Sequence, residues 1–212
     1  MIVTAVHAVT DERVAALGDL EQRARALARA GASLHARGHH LSGRAHWHLA
    51  CLFASCAPRA LFVNDRLDEA LAIDRANAVV PERGIPVRAA RRLLGPDRLL
   101  GASTHDAATA ARAAGDGADF VLFGPIFPTS THPDAPAQGL DRLAEVVRVG
   151  IPVIAIGGIT MERVLLVREA GAAGVAAIRA LWEADDPGAA VHGMQGMFDE
   201  GARERSRPRS RR

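Results

Sequence analysis

The chain has 212 residues, enough for one domain with a sizeable core. Apolar residues make up 49% and charged residues 24%, a balance that excludes a short disulfide scaffold and a wholly disordered chain. The formal net charge is +2, and none of the 26 basic residues is a lysine. No apolar run reaches the roughly 18 residues of a membrane span. The opening residues 1–6 lack the basic region of a signal peptide, so a cytoplasmic location without membrane partners is expected. Cys51 and Cys56 match no CxxC or zinc spacing and are expected as free thiols.

The predicted elements alternate. Val3–Val9 is a strand and Leu20–Arg29 a helix, with Leu20, Ala24, Leu27 and Ala28 on one face and Gly31 closing it. Ala32–Ala36 is a weak strand before a helix over Gly43–Cys56. Ala60–Val63 and Asn77–Val80 are strands, each followed by a helix, over Arg66–Asp74 and Val87–Leu94. Strands over Arg98–Gly101, Phe120–Phe123, Pro152–Ile156 and Gly174–Ile178 come next. Between them lie helices over Asp106–Ala114, Leu140–Val149 and Met161–Ala170, and a last helix starts near Pro187. The strands are apolar on both faces, as a helix-covered parallel sheet requires. About eight β-then-α units predict a closed (β/α)8 barrel in the α/β class, formed by residues 1–192. An open flavodoxin-like sheet is the alternative. Residues 193–212 are read as an Arg-rich, disordered tail, since six arginines fall in the last ten residues with nothing apolar to bury. The remaining body is mildly acidic, so a solvated tail is preferred to a nucleic-acid partner.

In such a barrel, chemistry gathers where strands end at their C-terminal side. Thr10 and Asp11 follow the first strand, Arg37, His39 and His40 the second, and Asn64 and Asp65 the third. Glu82 and Arg83 follow the fourth, and Ser103, Thr104 and His105 the fifth. The loop from Gly124 to Pro133 follows the sixth, Gly157 and Gly158 the seventh, and Arg179 the eighth. This ring of hydroxyls, arginines and glycines suits phosphorylated small molecules. Gly157 and Gly158 let backbone approach an anion, and the helix starting near Thr160 aims its amides there. Arg37 can clamp a second anion. Asp65, with Asn64 beside it, offers oxygen to Mg2+; the competing reading is that Asp65 caps the helix that follows. Five histidines lie between His35 and His48, but His46 and His48 have the wrong spacing to share a helix face, and no zinc site is expected.

Taken in order, Phe62-Val63-Asn64-Asp65-Arg66, Gly101-Ala102-Ser103-Thr104-His105, the loop from Gly124 to His132, and Ala155-Ile156-Gly157-Gly158-Ile159 resemble the thiamine phosphate synthase family, which includes TenI-type thiazole tautomerases. The resemblance covers about Val6 to Asp186. It implies transfer of a hydroxymethylpyrimidine from its diphosphate to a hydroxyethylthiazole phosphate, with release of pyrophosphate and Mg2+ on the leaving group. It also implies that Arg37, His39, Ser103 and His132 serve catalysis, that Asn64, Thr129, Thr131, Gly157 and Gly158 bind substrate, and that Asp65 binds metal.

The departures from the family pattern are specific. His39 and His132 stand where the family has lysines, Gly84 where it has a metal-binding aspartate, His35 where it has a glutamine, and Arg179 where it has a small hydroxyl residue. Glu82 is a candidate substitute for the absent aspartate. His39 and His132 are expected to act as cations that titrate near 6.5, so a synthase using them would lose activity as pH rises. Three readings follow: a divergent synthase, a tautomerase with His132 or His39 as base, and a non-catalytic phosphate-ligand binder. The tautomerase histidine after the strand-six glycine is here Pro125. A homodimer is left open.

Overall fold

A computed structural model describes residues 3–129 and 136–206. Eight parallel strands close into a barrel in chain order: β1 (Val6–Val9), β2 (Ser33–Ala36), β3 (Leu61–Asn64), β4 (Asn77–Val80), β5 (Leu100–Thr104), β6 (Phe120–Phe123), β7 (Val153–Ile156) and β8 (Gly174–Ala177). Closure is made by β8 on β1, with Val6 opposite Val175 and Ala8 opposite Ala177. The expected (β/α)8 barrel is therefore the fold, and the open sheet is excluded.

The helices are α1 (Glu12–Ala15), α2 (Leu20–Arg29), α3 (Gly43–Ser55), α4 (Leu67–Ala72), α5 (Val87–Leu94), α6 (Ala107–Gly115), α7 (Gly139–Val147), α8 (Val164–Glu169), α9 (Arg179–Trp182) and α10 (Pro187–Ser206). Alternation along each strand divides the core in two. Ala8, Leu34, Val63, Phe123 and Val175 face outward under the helices. Val9, Phe62, Val79, Phe120, Leu122, Ile154 and Ala176 fill the barrel. Trp182 of α9 stacks on Phe53 of α3, with centroids 5.5 Å apart.

Several boundaries differ from expectation. Asn64 ends β3 and Ser103 lies inside β5 rather than after it, because the ladder extends to the mouth: Asn64 pairs with Val79, Ser103 with Leu122 and Thr104 with Phe123. The expected helix over Met161–Ala170 begins as a 3-10 turn, Met161–Arg163, before α8. The boundary drawn at 192/193 falls inside α10. That helix continues because Val191, Met194, Met197 and Phe198 recur at helical spacing and pack on the core against α2 and α8. Residues 207–212 lie outside the described residues. Among those described, no helix is long and apolar enough to cross a membrane.

Candidate active site

At the C-terminal mouth, the first residues after β1 and β2 are tied together. The Thr10 hydroxyl accepts from the Arg37 N–H at 2.9 Å, and its proton faces the carbonyls of Arg37 and His35 at 2.8 and 3.0 Å. Glu12 accepts from the His40 N–H at 2.7 Å and pins the far side of the same loop. Arg37 is thereby held over the mouth. Burial weakens its grip on its proton, opposed by the charges of Asp65, Glu12 and Asp11; a guanidinium remains charged regardless.

Arg37 donates through Nη2 to His39 Nε2, and His39 Nδ1 lies 3.5 Å from Asp65 Oδ2. Arginine has no acceptor, so Nε2 of His39 is unprotonated and Nδ1–H faces Asp65. Burial first, and the Arg37 charge second, hold His39 below the ordinary histidine range. In the free protein these neighbours favour the uncharged ring, which links Arg37 to Asp65; the expected cation is the form beside a bound diphosphate.

Asp65 adopts a left-handed backbone, φ +65°, the conformation that aspartate tolerates better than most residues. Its N–H continues the ladder to Val79 O at 2.9 Å. It does not cap α4, whose N-cap is Arg66 without a side-chain bond. The capping alternative is excluded.

Opposite this cluster, a cavity of about 550 Å3 opens between the ends of β7 and β8. Arg37, Thr129, Gly157, Gly158, Arg163 and Arg179 are among its walls. Both glycines have positive φ, +95° and +64°. A Cβ on Gly157 would lie 2.5 Å from Pro125 Cβ, and one on Gly158 2.7 Å from Pro128 O. These glycines line the cavity and also meet a second requirement. They admit the chain's own strand-six loop, which docks through Ile126 N–H to Ile156 O (2.9 Å) and Phe127 N–H to Gly157 O (3.1 Å). Arg163 locks the corner by donating to Gly158 O at 2.7 Å while its guanidinium sits 4.6 Å over the Phe127 ring. Sequence reasoning missed Arg163; an arginine in the first turn after a Gly-Gly corner is the signal that was available.

The remaining sequence-derived residues are distributed as follows. Arg37, Thr129, Gly157 and Gly158 share the cavity, and His39 and Asp65 join it through Arg37. Asn64 is buried in the barrel top against His35 rather than in the cavity wall. Ser103 lines a separate recess of about 170 Å3 with Glu82 and Thr104. Glu82 pairs with His105 in the ligand-free chain. Thr131 and His132 lie outside the described residues. Among the described residues, no group of three or more His, Cys, Asp or Glu side chains is arranged to hold a metal. Asp65, one carboxylate with a third of its side-chain surface exposed, fits Mg2+ only where substrate phosphate and water supply the other oxygens.

The architecture defines a class: a parallel (β/α)8 barrel with an arginine-lined, glycine-cornered cavity at its C-terminal mouth. Residues 6–181 match the family model described as thiamine monophosphate synthase, and the chain belongs to that family. Thiamine-phosphate synthase of Roseiflexus sp. (strain RS-1) is 43% identical over 149 residues, covering 69% of this chain and 63% of that protein. Thiamine-phosphate synthase of Chloroflexus aurantiacus is 45% identical over 139 residues, 65% of this chain and 64% of that protein. The matched segments thus span a little under two thirds of these relatives. The thiamine phosphate pyrophosphorylase structure from Pyrococcus furiosus superposes with TM-score 0.77 at 28% identity, covering 92% of this chain and 96% of that one.

Proposed function

We propose that this chain is a thiamine phosphate synthase-type transferase that joins hydroxymethylpyrimidine diphosphate to hydroxyethylthiazole phosphate and releases pyrophosphate. The observation that carries the reading is the adjacency of the Arg37–His39–Asp65 line to the cavity edged by Gly157 and Gly158. It offers two anion-binding regions on one mouth, as a diphosphate and a monophosphate require. The family membership and the names of the relatives support the same reaction.

In this reading the methylene C–O bond of the pyrimidine diphosphate breaks, pyrophosphate carries away the electron pair, and the thiazole nitrogen donates its lone pair to the methylene carbon. Arg37 stabilises the charge that grows on the leaving oxygens, a contribution that needs position rather than basicity. Thr129 and the Gly157–Gly158 corner seat the thiazole phosphate, and Ser103 and Asn64 approach the pyrimidine diphosphate from the opposite strands. Magnesium, held by Asp65, would add charge neutralisation at the leaving group.

The test is purified protein with both substrates and Mg2+, assayed for thiamine phosphate. Product formation that falls at least tenfold in Arg37→Gln is expected, as for a lost charge-assisted hydrogen bond of about 1.5–3 kcal/mol. Tight binding of the thiazole phosphate without any turnover would replace this reading with the non-catalytic one.

A further inference from the structure

A line of hydrogen bonds crosses the barrel interior from the N-terminal end of β1 to Asn64 at the mouth. His7 Nε2 lies 3.0 Å from the Thr4 carbonyl oxygen, and His7 Nδ1 lies 2.8 Å from His35 Nε2. His35 Nδ1 lies 3.0 Å from the Asn64 amide oxygen, Oδ1, as the side chain is placed. Neither ring has exposed surface, and His35 stacks on Phe62 with centroids 4.6 Å apart. Both rings are neutral, since burial takes His7 down to about 4 and holds His35 well below its ordinary value.

A neutral imidazole has one N–H and one acceptor nitrogen. The Thr4 carbonyl has no proton to give, so His7 carries its proton on Nε2. His7 Nδ1 then accepts, His35 donates to it through Nε2, and His35 Nδ1 is left as an acceptor. The Thr4 hydroxyl is farther from His7 Nε2, at 3.4 Å against 3.0 Å for the carbonyl, and also shares a 2.6 Å contact with Ser33 Oγ, so the carbonyl sets the order. Whatever faces His35 Nδ1 must donate. An amide oxygen there would set two lone pairs against each other in a dry core. The oxygen and nitrogen of an amide exchange places by a half turn, so the donor order along the line decides between them.

We propose that the Thr4 carbonyl, His7 and His35 form a one-way relay that turns the Asn64 amide nitrogen toward His35 and offers its oxygen to a ligand at the mouth. His7 and His35 are then positioning residues for recognition of a hydrogen-bond donor on the pyrimidine ligand. The ligand part rests on the function proposed above; the direction of the relay does not.

Nitrogen-15 spectra of the histidine rings in the whole ligand-free chain test the direction, with His7→Gln and His35→Gln spectra supplying assignments. Both rings are expected as the Nε2–H tautomer, and a proton on Nδ1 of either ring overturns the proposal. Kinetics test the consequence. Glutamine at 35 carries a donor and an acceptor at opposite corners and keeps the relay's direction, whereas methionine breaks it. His35→Met is expected to raise KM for hydroxymethylpyrimidine diphosphate about tenfold, the cost of one misdirected hydrogen bond. KM for the thiazole phosphate should stay unchanged, and His35→Gln should remain near the parent in both. A parental pyrimidine KM in His35→Met overturns the positioning role. Nε2–H tautomers in a chain that turns over neither substrate would uphold the relay and refute the synthase reading instead.

Discussion

Replacing Gly158 by alanine separates two costs that most glycine substitutions merge. The first is conformational: an L-residue at φ +64° costs about 1–2 kcal/mol. The second is contact. The new Cβ would stand 2.7 Å from Pro128 O, 2.8 Å from Phe127 Cβ and 2.9 Å from Phe127 O. Two of these are backbone atoms, so no rotamer change relieves them; the strand-six loop itself must lift. Together the two costs come to about 3–5 kcal/mol, within the range of overpacked or strained sites. For a chain of this size that lowers Tm by roughly 10 °C. Gly150 supplies the control, because it also has positive φ, +90°, but nothing lies within 4 Å of its added Cβ. Gly150→Ala should therefore lose only the conformational part. Thermal unfolding of the two variants, followed by calorimetric titration with inorganic phosphate, reads both effects. Gly158→Ala should also lose at least about tenfold in phosphate affinity, because the lifted loop carries Thr129 away from the cavity. Equal melting points for the two alanine variants would refute the contact argument. Parental phosphate affinity in Gly158→Ala would remove this corner from the binding site.

Three further outcomes are expected. His46 and Glu69 are both 4% exposed and 2.6 Å apart, and the other oxygen of Glu69 has only the poorly aligned Arg66 guanidinium at 3.0 Å; His46→Ala should cost about 3 kcal/mol in urea unfolding, and a loss under about 1 kcal/mol would contradict it. The unfolded chain protonates His7 near 6.5 while the folded one refuses the proton until about 4, so the stability from His7 is complete above pH 6.5 and is lost as pH falls toward 4, by roughly 3 kcal/mol in all; His7→Gln should flatten that fall, and an unchanged slope would refute it. Calorimetry should find weak Mg2+ binding by the free protein that strengthens when pyrophosphate is present, because Asp65 is a single carboxylate; tight binding without pyrophosphate would show that further ligands are in place.

The barrel was legible in the sequence because its determinants are local. Apolar runs bounded by glycine and proline set β4 and β6 to the residue, and α2 and α5 follow from their apolar stripes alone. The described motif residues were legible too, since they stand at or just after strand ends and chain order carries that position. The sequence did not reveal which of them meet. That Glu82 turns to His105 and leaves Asp65 to His39 depends on side-chain directions across separate loops. That Gly157 and Gly158 serve the loop from Pro125 to Pro128 depends on a docking between β6 and β7 that no spacing encodes. The protonation of His7 and His35 is likewise a tertiary decision. A free imidazole titrates near neutrality, and only closure of β1, β2 and β3 into one dry interior takes away the water that would hold the charge on His7 and His35.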